Sequence, residues 1–152
     1  MIRVRLVTLA DAPAWLLMRQ ALWPDDESAS HAREVEQFFA GGLRMPLAVL
    51  IATDAAGAAL GFAELSIRSC AEACVTDRVA YLEGWYVVPE ARRHGVGRAL
   101  VEAAEGWARS QGCTEFGSDA LIDNESSAAA HRALGFVETA QIRCFRKPLD
   151  SP

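Results

Sequence analysis

A short segment rich in arginine and glycine has the composition of a ligand-binding turn. Its residues are, in order, Arg92, Arg93, His94, Gly95, Val96, Gly97 and Arg98. Glycines allow the backbone to turn tightly and to approach a ligand closely. The segment precedes the clearest predicted helix, and the first N–H groups of a helix, together with its dipole, attract anions. The pattern therefore predicts a phosphate-binding turn, with a plain basic surface loop as the alternative.

Two other kinds of phosphate loop are excluded by what surrounds these glycines. No Gly-Lys-Ser or Gly-Lys-Thr sequence follows them, as a Walker loop requires. A third glycine is missing, and Asp119 lies in the wrong context to be the acidic ribose partner of a dinucleotide fold. We also expect no metal site, because Cys70 and Cys74 lack the spacing and the second ligand pair of a zinc signature.

Hydrophobic periodicity places this turn between a strand and a helix of a mixed α/β domain. Strands are predicted over residues 2–7, 46–53, 60–68, 79–88 and 114–118, with one or two more over 136–147. Helices are predicted between Thr8 and Pro24, over 31–40, over 96–111, and from the cap Asn124 to Leu134. Gly84 lies inside a strand, where glycine often marks a bulge. No linker or repeat interrupts the sequence, so we expect a single domain over residues 1–152.

Composition limits the classes of partner. The 152 residues carry 15 Lys and Arg against 20 Asp and Glu, a net charge of −5 that disfavours nucleic acid and is compatible with a small cationic ligand. Hydrophobic residues make up 51%, enough for a packed core. No apolar run reaches the roughly 18 residues of a membrane span, and no signal-peptide stretch is present. We therefore expect a cytoplasmic protein whose cysteines are reduced, with no membrane partner.

The motifs resemble those of the GNAT N-acyltransferase superfamily. Residues 92–97 match its Q/R-x-x-G-x-G/A signature, and Asn124, His131, Gly135 and Phe136 follow its later N-x6-Y-x3-GF spacing. The resemblance implies that residues 92–98 bind the pyrophosphate of acetyl-coenzyme A. It also implies a GNAT-like α+β fold, in which a mixed, mostly antiparallel sheet with splayed central strands is flanked by about four helices.

Further segments are similar to those of bacterial aminoglycoside 6′-N-acetyltransferases. They are Gln20-Ala21-Leu22-Trp23-Pro24, residues 61–68, residues 81–87 and Gly117-Ser118-Asp119. In that subfamily the matching residues contact the aminoglycoside, which implies substrate-binding roles for Trp23, Glu83 and Asp119. The same resemblance implies that the backbone of Trp85, Tyr86 and Val87 contacts the acetyl-pantetheine arm and that Asn124 lies beside the cofactor.

The implied reaction assigns chemistry to three side chains. Most alkyl amines are protonated at neutral pH, and a nearby carboxylate can bind the ammonium and pass its proton to water. Glu83 and Asp119 are the candidates for that role. The alternatives are a solvent-facing strand residue for Glu83 and a turn former for Asp119. His131 stands where many GNAT enzymes have a tyrosine that protonates the departing thiolate. It is either that general acid or a packing residue. Backbone N–H groups near Gly84 are candidates to stabilise the oxyanion.

Other expectations concern substrate range and assembly. Ala71 and Ala140 stand where the subfamily has an aromatic and an acidic residue, and we include Glu138 among the substrate-binding candidates as a replacement for the latter. Trp23 is either a pocket aromatic or a core residue. A homodimer is expected from the subfamily. The alternatives to aminoglycoside acetylation are a GNAT enzyme for another amine (a polyamine, a sugar amine or a peptide N-terminus) and a non-catalytic acyl-CoA-binding module.

Overall fold

The computed structural model describes residues 1–42 and 45–150 of the chain. The strands are β1 (Arg3–Leu6), β2 (Ala48–Thr53), β3 (Ala59–Arg68), β4 (Val79–Val87) and β5 (Phe116–Ser118). The helices are α1 (Ala12–Leu22), α2 (Ser28–Ala40), α3 (Val96–Ser110) and α4 (Glu125–Ala133). Short 3₁₀ turns over Leu9–Asp11 and Pro89–Ala91 precede α1 and α3. The chain divides after Asp119 into two compact units.

The five strands form one sheet in the order β1-β2-β3-β4-β5. The first four strands pair antiparallel with their neighbours, and β5 pairs parallel with β4. The predicted fold class, a mixed and mostly antiparallel sheet in an α/β protein with four helices, is therefore confirmed. The β2–β3 hairpin predicted from its Ala/Gly turn is also present.

Helices cover both faces of this sheet. On one face Trp15, Met18 and Val35 of α1 and α2 pack against Val49, Ile51 and Phe62 of β2 and β3. On the other face α3 buries its apolar stripe, in which Leu100 lies against Gly61 of β3. Alternate residues of a strand point to opposite faces, so β2, whose residues are all buried, contributes to both layers of the core.

A one-residue bulge interrupts the pairing of β3 with β4. Glu64 pairs with Gly84 and Leu65 pairs with Leu82, so Glu83 is the extra residue. β5 pairs with β4 over residues 80–82 of β4 and ends at Ser118, whereas β4 continues to Val87. The bulge expected at Gly84 is thus found, and Glu83 follows the last β4 residue that pairs with β5. The splay of the central strands stays a prediction.

The second unit contains α4, whose N-cap is the predicted Asn124. Its Oδ1 accepts a hydrogen bond from the Ser127 N–H at 3.0 Å. The strands predicted over 136–147 are wrong for this structure, because residues 136–150 form neither helix nor strand and are almost all exposed. A strand requires a neighbouring backbone to complete its ladder, and alternation of side chains alone does not supply one.

Within the described ranges, no helix is long and apolar enough to cross a membrane. No group of three or more His, Cys, Asp or Glu side chains among those residues could hold a metal ion.

Candidate active site

The basic segment forms the turn that opens α3. Gly95 is the N-cap of α3 with φ at 87°, and Arg93 also has a positive φ, of 63°. Left-handed backbone at Gly95 is costly for a residue with a Cβ, which explains glycine at this position. Arg92, Arg93, His94 and Arg98 are all exposed around the helix start. The turn therefore presents helix N–H groups and positive side chains to solvent, as a pyrophosphate site requires.

The end of β4 supports this turn. The Arg92 Nε donates to the carbonyl oxygen of Val87 at 2.9 Å, and the guanidinium lies 5.6 Å from the centre of the Tyr86 ring. The Trp85 indole packs on Gly97, where a Cβ would lie 3.1 Å from Cζ2 of the indole. Val96 is buried and anchors the first turn of the helix. The first-unit residues that the resemblance implies in acetyl-CoA binding thus all lie within residues 85–98 of the chain. Exposed basic side chains and free helix N–H groups in this segment fit the charge of a pyrophosphate.

Glu83 is held by two residues of the neighbouring strand β3. Its Oε1 accepts hydrogen bonds from the Ser66 hydroxyl and, at 2.9 Å, from Nε of Arg68. Its Oε2 accepts from Nη2 of Arg68 at 2.7 Å. The carboxylate is therefore the partner of a bidentate arginine, and it is not a strand residue pointing freely into solvent.

Asp119 follows β5 and is exposed, and its Oδ2 accepts a hydrogen bond from the Tyr81 hydroxyl at 2.7 Å. Burial and this bond together raise the pKa of Tyr81, so the phenol stays protonated and acts as the donor. The Arg68 guanidinium lies 3.6 Å from the centre of the Tyr81 ring. The structure thus links the two carboxylates implied in substrate binding through Arg68 and Tyr81. We call Glu83, Arg68, Tyr81 and Asp119 the acceptor cluster.

Trp23 is half-buried at the end of α1, and its indole reaches the bulge. A Cβ on Gly84 would lie 2.7 Å from Cη2 of Trp23, so glycine is needed for this close approach. The indole also stacks on the His31 ring, with ring centres 6.2 Å apart. Trp23 therefore packs against the core, as one of its two alternatives expected, and its ring reaches Gly84 of the bulge. Its role as a pocket aromatic toward a substrate stays a prediction.

A buried ionic network lies behind Trp23. The Arg19 guanidinium donates to the carboxylates of Glu64 and Glu34, and its Nε donates to Nδ1 of His31 at 3.3 Å. Burial raises the pKa of Glu64, while the charge of Arg19 and its hydrogen bond oppose this effect. The indole N–H of Trp15 donates to the same Glu64 carboxylate at 3.0 Å. Buried charges require such pairing, so this network fixes α1 and α2 on the sheet beneath the bulge.

The remaining predicted site residues lie in the second unit. Nδ1 of His131 lies 2.7 Å from the Ser127 carbonyl oxygen, and its ring meets Phe136 edge-on at 5.2 Å. Glu138 is exposed and forms an ion pair with Arg132 at 3.2 Å. The implied roles of His131, Glu138 and Asn124 toward ligands stay predictions.

Arg68, Ser66 and Tyr81 were not predicted from the sequence as partners of the two carboxylates. A signal existed, because Glu64, Ser66 and Arg68 occupy alternate positions of an otherwise apolar strand and so share one face. Buried Arg19 was also missed, although it lies four residues after Trp15 on the apolar face of α1.

Comparison with known proteins identifies the family. Residues 15–136 match the acetyltransferase (GNAT) family. An aminoglycoside N(6′)-acetyltransferase type 1 of Klebsiella aerogenes is 58% identical over 146 residues, covering 96% of this chain and 96% of that protein. A protein of the same name from Stenotrophomonas maltophilia is 40% identical, covering 97% of this chain and 94% of that protein.

Solved structures agree. AAC(6′)-Iy in complex with the bisubstrate analog CoA-S-monomethyl-acetylneamine superposes with a TM-score of 0.90 at 32% identity, covering 98% of this chain and 99% of that one. The aminoglycoside antibiotic 6′-N-acetyltransferase AAC(6′)-Ih from Acinetobacter baumannii gives a TM-score of 0.88 at 36% identity, with coverage of 99% and 100%. By sequence and by fold, this chain belongs to the acetyltransferase (GNAT) family.

Proposed function

We propose that this protein transfers the acetyl group of acetyl-CoA to the 6′-amine of aminoglycosides, the resistance reaction for which its relatives are named. The observation that carries the proposal is the arrangement along β4. The strand holds Glu83 of the acceptor cluster at its bulge and then runs directly into the basic turn that opens α3. One strand thus connects a carboxylate site for a cationic amine with an anion site for a nucleotide cofactor.

The basic turn is the proposed cofactor site. Residues 92–98 would hold the pyrophosphate through the N–H groups of α3 and the side chains of Arg92, Arg93 and Arg98. Backbone groups of Trp85, Tyr86 and Val87 would hold the pantetheine arm, and Asn124 would lie beside it. When bound, acetyl-CoA supplies a thioester whose acetyl carbon accepts the amine nitrogen while the C–S bond breaks. The bulge N–H groups near Gly84 would donate to the thioester oxygen.

The acceptor cluster is the proposed binding site of the amine. Alkyl ammonium groups have a pKa of about 10, so the substrate arrives protonated and must lose a proton before it attacks. Asp119 is exposed and would receive the ammonium, with Glu83 oriented beside it by Arg68. Solvent at the exposed carboxylate would take the proton. Trp23 would supply an apolar face to a sugar ring. Attack is direct in a ternary complex, with no acyl-enzyme.

The leaving thiolate must gain a proton, and His131 is the proposed donor. Its Nδ1 lies at hydrogen-bonding distance from the Ser127 carbonyl oxygen, so a neutral ring keeps its proton on Nδ1. Nε2 can donate only when the ring is doubly protonated. The proposed role therefore requires the imidazolium form. Glu138 remains in the proposal as an additional acidic contact to the substrate.

The assembly proposed is a cytoplasmic homodimer in which the full chain, residues 1–152, acts as one acetyltransferase domain without nucleic acid. All four cysteines are free thiols, as expected for a reducing compartment. Residues 136–150 expose Ile142, Phe145 and Leu149, apolar side chains that a second copy would cover. Sedimentation equilibrium should give twice the chain mass. A monomer at micromolar concentration would contradict the dimer and leave the activity untouched.

A thiol-release assay with acetyl-CoA tests the activity. The amines to be compared are kanamycin, tobramycin, spermidine and a short peptide. We expect rapid thiol release with the two aminoglycosides and little with the others. Turnover of spermidine or peptide alone would replace the proposal by another GNAT activity. Tight CoA binding without turnover of any amine would indicate a non-catalytic module.

A further inference from the structure

Arg68 lies between the two carboxylates of the acceptor cluster. Its Nε and Nη2 hold Glu83 at 2.9 and 2.7 Å, and its guanidinium lies 3.6 Å from the centre of the Tyr81 ring. Tyr81 in turn holds Asp119 through its hydroxyl at 2.7 Å. A cation at the centre of a site meant for a cationic substrate needs a physical reason, because its charge opposes that of the incoming amine.

The bonds to Glu83 limit what that carboxylate can do. An ionised carboxylate has about four acceptor positions. Ser66 and Nε of Arg68 take two on Oε1, and Nη2 of Arg68 takes one on Oε2. One position on Oε2 is therefore left for a substrate donor, in a direction that Arg68 and Ser66 determine. Because Arg68 balances the charge of Glu83, Glu83 contributes to substrate binding as a hydrogen-bond acceptor of fixed direction and not as a net negative charge.

Tyr81 extends this orientation to Asp119. Its ring contacts Gly117, where a Cβ would lie 2.9 Å from two ring carbons, so the ring is confined on that side by β5. Arg68 lies against the same ring, and the hydroxyl fixes one oxygen of Asp119. Asp119 is itself exposed. With two carboxylates and one guanidinium, the cluster keeps one net negative charge, and that charge is presented at Asp119.

We propose that Arg68 is a positioning and specificity residue of the amine site: it aligns Glu83 as a hydrogen-bond acceptor and, through Tyr81, Asp119 as the carboxylate that receives the ammonium. The proposal rests on the proposed function for its substrate class, an amino sugar that offers one ammonium and one neighbouring O–H or N–H donor. Arg68 thereby makes the site selective for a donor pattern and not simply for positive charge.

Replacement of Arg68 by glutamine and by lysine tests the proposal. Arg68→Gln removes the charge and the bidentate pair, and we expect kcat/KM for kanamycin to fall about tenfold or more, mainly through KM. Arg68→Lys keeps the charge but cannot form two parallel bonds or stack flat on a ring, so we expect it to recover less than about a third of the loss. The Kd of acetyl-CoA should stay within about twofold in both variants.

One further variant controls for damage to the fold, and another tests whether Arg68 acts through Tyr81. Arg5 also forms a bidentate pair, with Asp11, on strand β1 at the far edge of the sheet, so Arg5→Gln should leave kcat/KM within about twofold. Tyr81→Phe keeps the ring but releases Asp119 from its hydroxyl. If Arg68 acts through Tyr81, the double variant Arg68→Gln/Tyr81→Phe should lose less than the product of the two single losses.

The outcomes separate this inference from the proposed function. Kanamycin turnover by the wild type tests the function alone; should kanamycin not react, the same variant-to-wild-type ratios are measured on the amine acetylated fastest. The inference is overturned by an Arg68→Gln variant within about twofold of wild type or by full rescue with lysine. It is equally overturned by a parallel loss of acetyl-CoA affinity or by multiplicative losses in the double variant.

Discussion

Glu83 and Asp119 have different environments, so their replacement should have different effects. Asp119→Asn removes an exposed charge that holds only one described hydrogen bond, and we expect kcat/KM for aminoglycoside to fall by about two orders of magnitude with the fold unchanged. Glu83→Gln also leaves Arg68 without its ion-pair partner, so stability should fall as well, by about 1 kcal/mol. Steady-state kinetics and thermal melting measure both effects.

The cofactor side provides the control for these two variants. Neither residue belongs to the basic turn, so the Kd of acetyl-CoA measured by calorimetry should be the same as in the wild type. A loss of acetyl-CoA binding that matches the loss of turnover would mean that the two carboxylates have been assigned to the wrong half of the site.

His131 can be tested with two aromatic replacements. Phenylalanine preserves the packing against Phe136 but has no proton, whereas tyrosine restores the hydroxyl of the GNAT pattern. If His131 protonates the thiolate, kcat of His131→Phe should fall by about 10²-fold, and His131→Tyr should recover most of that loss. Unchanged kcat in His131→Phe over the whole pH profile would assign the residue to packing alone.

At the scale of single elements, Gly95, the N-cap of α3, and Gly106, in the interior of that helix, make a matched pair. Gly95→Ala places a Cβ at φ of 87°, which costs about 1–2 kcal/mol and distorts the cofactor turn. Gly106→Ala lies in the helix interior with open space around it and should stabilise by about 0.5–1 kcal/mol. Urea unfolding should show stability changes of opposite sign for the two variants, and acetyl-CoA titration should show weakened binding only in Gly95→Ala. The same stability and the same acetyl-CoA affinity in the two variants would contradict the role of Gly95 in shaping the cofactor turn.

The 3₁₀ turn that precedes α1 is closed by a carboxylate, that of Asp11, whose pKa is lowered. Asp11 accepts from Arg5 at 2.6 and 3.0 Å and from the Thr8 N–H at 2.7 Å. These bonds lower the pKa of Asp11 from 3.8 to about 2, and the bond from Arg5 has the largest effect. The stability that Asp11 provides is therefore complete above pH 4 and is lost as the pH falls toward 2. Asp11→Asn should lower the free energy of unfolding by about 1 kcal/mol at neutral pH.

A pH series of urea unfolding measures this effect. The difference between Asp11→Asn and wild type should shrink between pH 4 and pH 2, where wild-type Asp11 also becomes neutral. A constant difference over that range would show that Asp11 acts through packing and not through its charge.

Local patterns predicted some elements well and others not at all. Gly84 predicted the bulge because glycine weakens a regular strand and is found there mainly at bulges and close backbone contacts, and Asn124 predicted its helix cap. Alternation places Ser66 and Arg68 on one face of β3, but it does not show that Glu83 lies opposite them, because a one-residue bulge in β4 changes which face each following residue occupies. The contact between Arg68 and Glu83 depends on the register of β3 with β4, which no local pattern specifies.

For the whole molecule, the family resemblance in the motifs led to the correct fold class, and the match over residues 15–136 confirms it. The net charge of −5 was compatible with a cationic ligand but did not indicate how the charges are arranged. Basic side chains surround the start of α3, while the acidic acceptor cluster has an arginine at its centre. The strands expected over 136–147 are absent from the described residues, because pairing depends on a partner backbone that side-chain alternation does not reveal.

The position of the acetyl group on the product tests the central claim most directly. Kanamycin acetylated by the wild type and analysed by two-dimensional NMR should carry one acetyl group, on the 6′-amine, and Asp119→Asn should form the same product more slowly. This result is expected if the acceptor cluster, which lies around the bulge of β4, receives that ammonium. Acetylation of a different amine, or a mixture of positions, would contradict the account.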